Sequence, residues 1–153
     1  MFKKIIGGAI VAGFTATLAF AAMSGDDMIK ARQTQMKANG KAMGELAKIY
    51  KGEMAFDAAA VKAQIDAMGA AYGEAEKAGA WLPESAKGET VETWAKPELW
   101  SDVEGSKATG MAMGAAMGKV AGATDEAGFK AAFEELGGAC KGCHEKFRRP
   151  KEG

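Results

Sequence analysis

Phe129-Lys130-Ala131-Ala132-Phe133-Glu134-Glu135-Leu136-Gly137-Gly138-Ala139-Cys140-Lys141-Gly142-Cys143-His144-Glu145-Lys146-Phe147 decides how this chain folds. Phe129, Phe133, Leu136, Cys140, Cys143 and Phe147 recur at alternating steps of four and three, which puts them on one face of a helix. Such a seam is the inward face of a helix bundle. Thr124-Asp125 marks the start of the helix, and both cysteines lie on the seam, so their thiols point towards the core.

Working back along the chain, three more helical segments precede this one. Segment one spans about Asp26 to Tyr50, with Ser24 and Asp27 spaced as a capping box. Its expected inner stripe runs through Met28 or Ile29, Arg32, Met36, Gly40, Met43, Ala47 and Tyr50. Lys51-Gly52 ends it. Segment two starts at Asp57, carries Val61, Ile65, Met68 and Tyr72 on one face, and fades by Lys77-Ala78-Gly79. Segment three opens with another capping-box pattern at Ser101-Asp102-Val103-Glu104. Its face is weak: Val103, Ala108, Met111, Ala115 and Gly118, with further methionines at Met113 and Met117. Residues Ala80 to Trp100 read as a long connection punctuated by Pro83, Gly88 and Pro97. It carries all three tryptophans, Trp81, Trp94 and Trp100, and a connection of this length implies packing against the bundle or a cofactor edge. No segment has the period-two alternation of a strand. The expected fold is all-α, an antiparallel four-helix bundle.

The start of the chain reads differently. Met1-Phe2-Lys3-Lys4 is basic, Ile5 to Phe20 is apolar, and Ala19-Phe20-Ala21 is a small-residue cleavage pattern. The run of about 16 residues falls short of the roughly 20 that span a bilayer. Residues 1–21 are therefore expected to be a cleaved signal peptide, and 22–153 the folded domain, exported to the periplasm and not left inserted in the membrane. The 20 basic and 20 acidic side chains cancel in the precursor, a balance unlike that of a nucleic-acid-binding protein.

Cys140, Cys143 and His144 are the only two cysteines and the only histidine of the 153 residues, and they are neighbours. On a helix the two thiols stand one turn apart, about 5–6 Å between Cβ atoms, a spacing that suits the two vinyl groups along one porphyrin edge. His144 follows at once, placed to reach the iron. The C-x-x-C-H pattern reads as attachment of one covalent haem c, with His144 as the iron ligand. A thioredoxin-like pair needs a strand–helix context, and a structural zinc site needs four ligands; neither is offered. One histidine leaves the sixth iron position to a methionine, water or nothing. A thioether there suits electron transfer, and an open position suits small gases such as nitric oxide or carbon monoxide. No second ionisable group is placed for acid–base chemistry, so no catalytic residue and no enzyme activity are assigned.

Three stretches give the chain its resemblance to class II cytochrome c, the cytochrome c′ family. They are Ile29-Lys30-Ala31-Arg32-Gln33-Thr34-Gln35-Met36-Lys37 with Lys51-Gly52-Glu53, then Lys96-Pro97-Glu98-Leu99-Trp100-Ser101-Asp102, and Gly138 to Arg148. The last is the most specific, because most c-type cytochromes attach haem near their N-terminus. The resemblance implies that Arg32 and Gln33 bond a haem propionate and that Met36 faces the iron on the distal side. Arg148 would sit beside the proximal histidine and tune its hydrogen bonding. The family includes high-spin members with an open distal face and low-spin members ligated by a helix-one methionine. Met36 is compatible with both. The resemblance also implies a homodimer packed through the first two helices, where Gly44, Gly69 and Gly73 would permit close approach; tight packing within the chain would explain them equally. It leaves the redox partner open.

Overall fold

The computed structural model describes residues 23–150, so the expected signal peptide lies outside the described residues. Helix α1 spans Gly25–Tyr50, α2 Ala58–Lys77, α3 Glu98–Ser101, α4 Val103–Ala121 and α5 Glu126–Phe147. A 3-10 turn at Pro83–Ala86 interrupts the connection. The four long helices form two hairpins, α1 on α2 and α4 on α5, with α2 meeting α4 and α1 meeting α5 more sparsely. Short links at each hairpin make those pairs antiparallel. Among the described residues there is no strand, only an isolated bridge between Ala95 and Arg148. The four-helix bundle expected from the periodicity is what the chain forms.

Each long helix starts where a short polar side chain satisfies an orphan backbone N–H. Ser24, Asp57, Asp102 and Asp125 accept from the amides of Asp27, Ala60, Gly105 and Gly128. Each such cap contributes about 1 kcal/mol. The cap of α4 is Asp102, not Ser101, because the short helix α3 absorbs Ser101 as its last residue. Gly79 ends α2 at φ +68°, a conformation that a side chain would strain.

The apolar core fills one half of the bundle. Ala42, Leu46 and Ile49 of α1 meet Val61, Ile65 and Met68 of α2, Ala116 and Val120 of α4, and Phe129, Ala132 and Leu136 of α5. Tyr50 packs on Phe133 at 5.2 Å between ring centroids, and Phe56 on Phe129 at 5.8 Å. Cys140 is the last α5 residue packed on this cluster, so the core stops where the C-x-x-C begins.

Three expected stripes need correction. On α1 the buried line is Ile29, Arg32, Gln35, Asn39, Ala42, Leu46 and Ile49, with Gly40 exposed and Met36, Met43, Ala47 and Tyr50 only half-buried. The apolar period drifted off this line because its first half is polar. On α2 Tyr72 is exposed, stacked on Trp81 at 6.2 Å, and the buried line ends on Ala75. On α4 Val103 and Met111 are 62% and 66% exposed, and Ala108 and Ala115 are exposed with them. The inner line runs through Met113, Ala116, Met117 and Val120 instead. With alanine and glycine on every side of α4, two stripes compete in the sequence, and only the one ending in Val120 meets the phenylalanines of α5.

Candidate haem site

The bundle half beyond the core holds the candidate residues. Helix α5 carries Cys140 and Cys143, both free and both half-buried, with His144 exposed beside them. Desolvation, then the nearby Cys143, pushes the Cys140 thiol pKa up. Desolvation, then the charge of Arg148, holds His144 below its ordinary value. A neutral imidazole is the form that binds a metal.

The end of α5 is tied down by the connection. Lys96 N–H donates to the Phe147 carbonyl at 2.8 Å, and Arg149 N–H donates to the Trp94 carbonyl at 2.7 Å. The Lys96 ammonium donates to the carbonyls of Glu145 and Lys146 at 3.0 and 3.2 Å, a cation on the negative end of the helix. Asp102 pairs with Lys146 at 2.6 Å, joining the start of α4 to the same turn. The Arg148 guanidinium lies over the Trp94 ring at 5.0 Å, and its amide donates to the His144 carbonyl at 3.0 Å. Arg148 thus sits by the histidine, near it in charge and bonded to it through the backbone. A shallow pocket of about 390 Å³ between Lys96, His144, Glu145, Arg148, Arg149 and Pro150 opens beside the imidazole.

Helix α1 supplies the opposite wall. Tyr50 on Phe133 fixes the register of two antiparallel helices with equal rise per residue. Stepping back along α1 and onward along α5 by the same number of residues brings Met36–Asn39 level with His144–Phe147. Met36 is half-buried at that level. Gln35 and Asn39 are 2% and 8% exposed, and the side-chain oxygen of each is buried without a partner. Sequence reasoning missed this pair, since an apolar-period search passes over amides.

Arg32 is buried at 6% exposure. It donates to the Ala80 carbonyl at 2.5 Å, Ser85 Oγ at 2.7 Å, the Ser85 carbonyl at 3.0 Å and Thr93 Oγ1 at 2.8 Å. Its guanidinium lies 5.9 Å from the Trp81 ring centroid and 5.3 Å from that of Trp100. Gln33 is exposed and donates to the Glu92 carbonyl at 3.0 Å. Both residues expected on a propionate therefore hold the connection. Asp26 joins them, accepting from the amides of Glu89, Thr90 and Val91 and from the Thr90 hydroxyl, which lowers its pKa to about 2. Gly88 is required there, because a Cβ would collide with the Asp26 carboxylate and the Val91 carbonyl.

These residues fit a haem. Two free thiols stand one turn apart where the core ends. A neutral imidazole follows them. The buried Arg32 has only uncharged acceptors, and desolvation alone pulls its pKa down, so its charge lacks a counter-ion among the described residues. Buried charges are normally paired. A haem would bring two carboxylates, and Arg32 could serve as counter-charge to one of them.

The fold and the attachment motif together define a c-type haem protein built on a four-helix bundle. The sequence profile of the family described as Cytochrome C' matches residues 27–148. A cytochrome c′ of Cereibacter sphaeroides is 33% identical over 91% of this chain and 95% of its own length. The crystal structure of cytochrome c′ from Rubrivivax gelatinosus superposes with a TM-score of 0.72 at 34% identity, covering 82% of this chain and 98% of that one. A nitric oxide complex of a variant of cytochrome c prime from Alcaligenes xylosoxidans superposes at 0.71 with 27% identity, covering 83% and 98%. The chain belongs to the cytochrome c′ family, and its cofactor is covalent haem c.

Proposed function

We propose that the protein is a periplasmic electron carrier, with Cys140 and Cys143 holding the haem, His144 as proximal ligand and Met36 as sixth ligand. What supports this reading is that Met36 lies on α1 within one turn of Asn39, the residue that the Tyr50–Phe133 pair sets level with His144. The bound haem supplies one-electron ferric–ferrous chemistry. The chain's own part is to anchor one haem edge through α5, to keep His144 neutral beside Arg148 and to hold the connection over the site through Arg32. No residue is assigned to catalysis. No helix among the described residues is long and apolar enough to cross a membrane. Residues 1–21 as a removable leader and 22–153 as the working domain belong to the same proposal.

A second reading has nitric oxide or carbon monoxide as the ligand on the distal face. The nitric oxide complex of the Alcaligenes xylosoxidans relative favours it. So does Met36 being only half-buried, which leaves it room to stand aside. Optical spectra of the purified holoprotein separate the two. A low-spin ferrous spectrum unchanged by carbon monoxide, and lost in Met36→Ala, supports methionine ligation and electron transfer. A high-spin spectrum that sharpens with carbon monoxide supports the gas-binding reading and refutes the first.

A homodimer through α1 and α2 completes the proposal. A Cβ at Gly44, Gly69 or Gly73 would meet nothing within 4 Å, so packing within the chain does not account for these glycines. They leave a smooth surface on the α1–α2 hairpin.

A further inference from the structure

We infer that the indole N–H of Trp81 is the hydrogen-bond donor to a haem propionate, with the Arg32 guanidinium beside it as the fixed counter-charge. Two unmet polar demands meet at one point. Trp81 Nε1 is buried with no acceptor among the described residues. A buried N–H without a partner costs about 1–3 kcal/mol, so native proteins rarely leave one. Next to it, 5.9 Å from the ring centroid, stands a guanidinium whose charge faces only neutral oxygens.

The rest of the neighbourhood is already committed. Trp100 Nε1 donates to the Trp81 carbonyl at 3.1 Å, so the second indole on Arg32 is satisfied. Arg32 spends its terminal N–H groups on Ala80, Ser85 and Thr93, and Gln33 gives its amide to Glu92. What is missing is one anionic acceptor that meets an N–H and lies within reach of a positive charge. A carboxylate satisfies both requirements, whereas a water would satisfy the indole and leave the charge uncompensated. The same stretch of connection runs on to Lys96 and the end of α5, where the haem is anchored. Trp81 is thus assigned a role that neither periodicity nor motif gave it. It fixes the outer edge of the cofactor, while the thioethers fix the opposite one. This assignment rests on haem attachment and is independent of whether the iron carries electrons or binds a gas.

The test uses the holoprotein and its Trp81→Phe variant, which keeps the aromatic packing and removes the donor. Tyr50→Phe is the control, because Tyr50 packs on Phe133 in the apolar half of the bundle, away from this cluster. Soret-excited resonance Raman spectra report hydrogen bonding through the propionate bending band, and ultraviolet excitation reports the state of the indole N–H. The expected result is a shift of the propionate band in Trp81→Phe and none in Tyr50→Phe. The wild-type minus Trp81→Phe ultraviolet difference should show a hydrogen-bonded indole. An unmoved propionate band, or an unbonded indole in the difference, overturns the assignment. Should Trp81→Phe fail to yield holoprotein, a crystal structure of the wild-type holoprotein decides. A propionate oxygen within hydrogen-bond distance of Trp81 Nε1 supports the assignment, and a water or protein carbonyl there refutes it. The haem spectrum separates this failure from failure of the functional reading, since spin state does not report on the propionate.

Discussion

Replacing Arg32 by methionine removes four donated hydrogen bonds and a buried charge while keeping an apolar stem of similar length. The losses are unequal. The single Ser85 hydroxyl proton stays within reach of the Ala80 and Leu82 carbonyls, at 2.9 and 2.7 Å, so the Ala80 oxygen keeps a donor to turn to. Thr93 Oγ1 still accepts from the Ala95 amide at 3.1 Å. The Ser85 carbonyl loses most, because Arg32 is its one side-chain donor. A hydrogen bond from a charged group is worth about 1.5–3 kcal/mol, and the partial compensation brings the net loss to about 3 kcal/mol. For a domain of this size that lowers Tm by about 10 °C. The location of the damage is more telling than its size. Amide exchange should quicken at Ser85, whose N–H donates to Leu82 at 2.9 Å, and at Lys96, whose N–H donates to Phe147 at 2.8 Å. Amides around Leu46 and Leu136, inside the core, should keep their protection. The assay is thermal unfolding of the holoprotein followed by circular dichroism, joined to hydrogen exchange read by peptide mass. A Tm within about 2 °C of wild type, with Ser85 and Lys96 still protected, would refute the claim that Arg32 clamps the connection. That outcome would return the residue to serving a propionate alone.

Three further outcomes follow from the same geometry. In the double variant Cys140→Ser, Cys143→Ser, acidified organic solvent should extract all haem, whereas none leaves the wild type; retention of covalent haem on a denaturing gel would refute thioether attachment at these positions. Asp26→Asn should flatten the acid limb of the stability curve: the folded carboxyl sits at about 2 against an ordinary 3.8, chiefly through the Thr90 hydroxyl, so its contribution is whole above about 4 and lost as pH falls through about 2. Urea titrations between pH 2 and 5 check this, and identical curves for variant and wild type would remove Asp26 from the latch. Leu136→Ala, at a fully buried site among Phe129, Val120 and Leu46, should cost about 2–5 kcal/mol in urea unfolding without altering the haem spectrum.

The elements that were legible in the sequence are those whose signal is local. Helix α5 carries its seam, cap and attachment motif within one stretch, and each stands where the spacing put it. The caps at Ser24, Asp57 and Asp125 were equally plain, because an N-cap acts within four residues of itself. The inner line of α1 was not, since Arg32, Gln35 and Asn39 are buried for reasons no hydropathy scale expresses. Arg32 is satisfied by residues 48 to 61 positions away, and Asp26 by others 63 to 65 away. Nothing near either residue in the chain announces those partners. On α4 the fault was lack of contrast: alanine and glycine surround the methionines, so the choice of inner face falls to the neighbouring helix.

These two kinds of residue divide the molecule. The half holding Leu46, Val61, Val120 and Leu136 is closed by apolar packing, which is non-directional and tolerant of small shifts. The half holding Cys140, Cys143 and His144 is closed by polar ties from the connection: Asp26 to Glu89–Val91, Arg32 to Ser85 and Thr93, Lys96 to the end of α5. Hydrogen bonds fix distances and directions that apolar contacts do not. A flat cofactor bonded along one edge needs its other edge and both faces held in place, and the directional ties surround the site where that demand arises. Asn39, level with His144, and Gln35, one turn further along α1, have buried oxygens lacking partners among the described residues and belong to this half as well. They make the buried line of α1 polar beside Met36. Removing a tie should therefore loosen the setting of the haem before it unfolds the bundle, and Leu136→Ala should do the reverse.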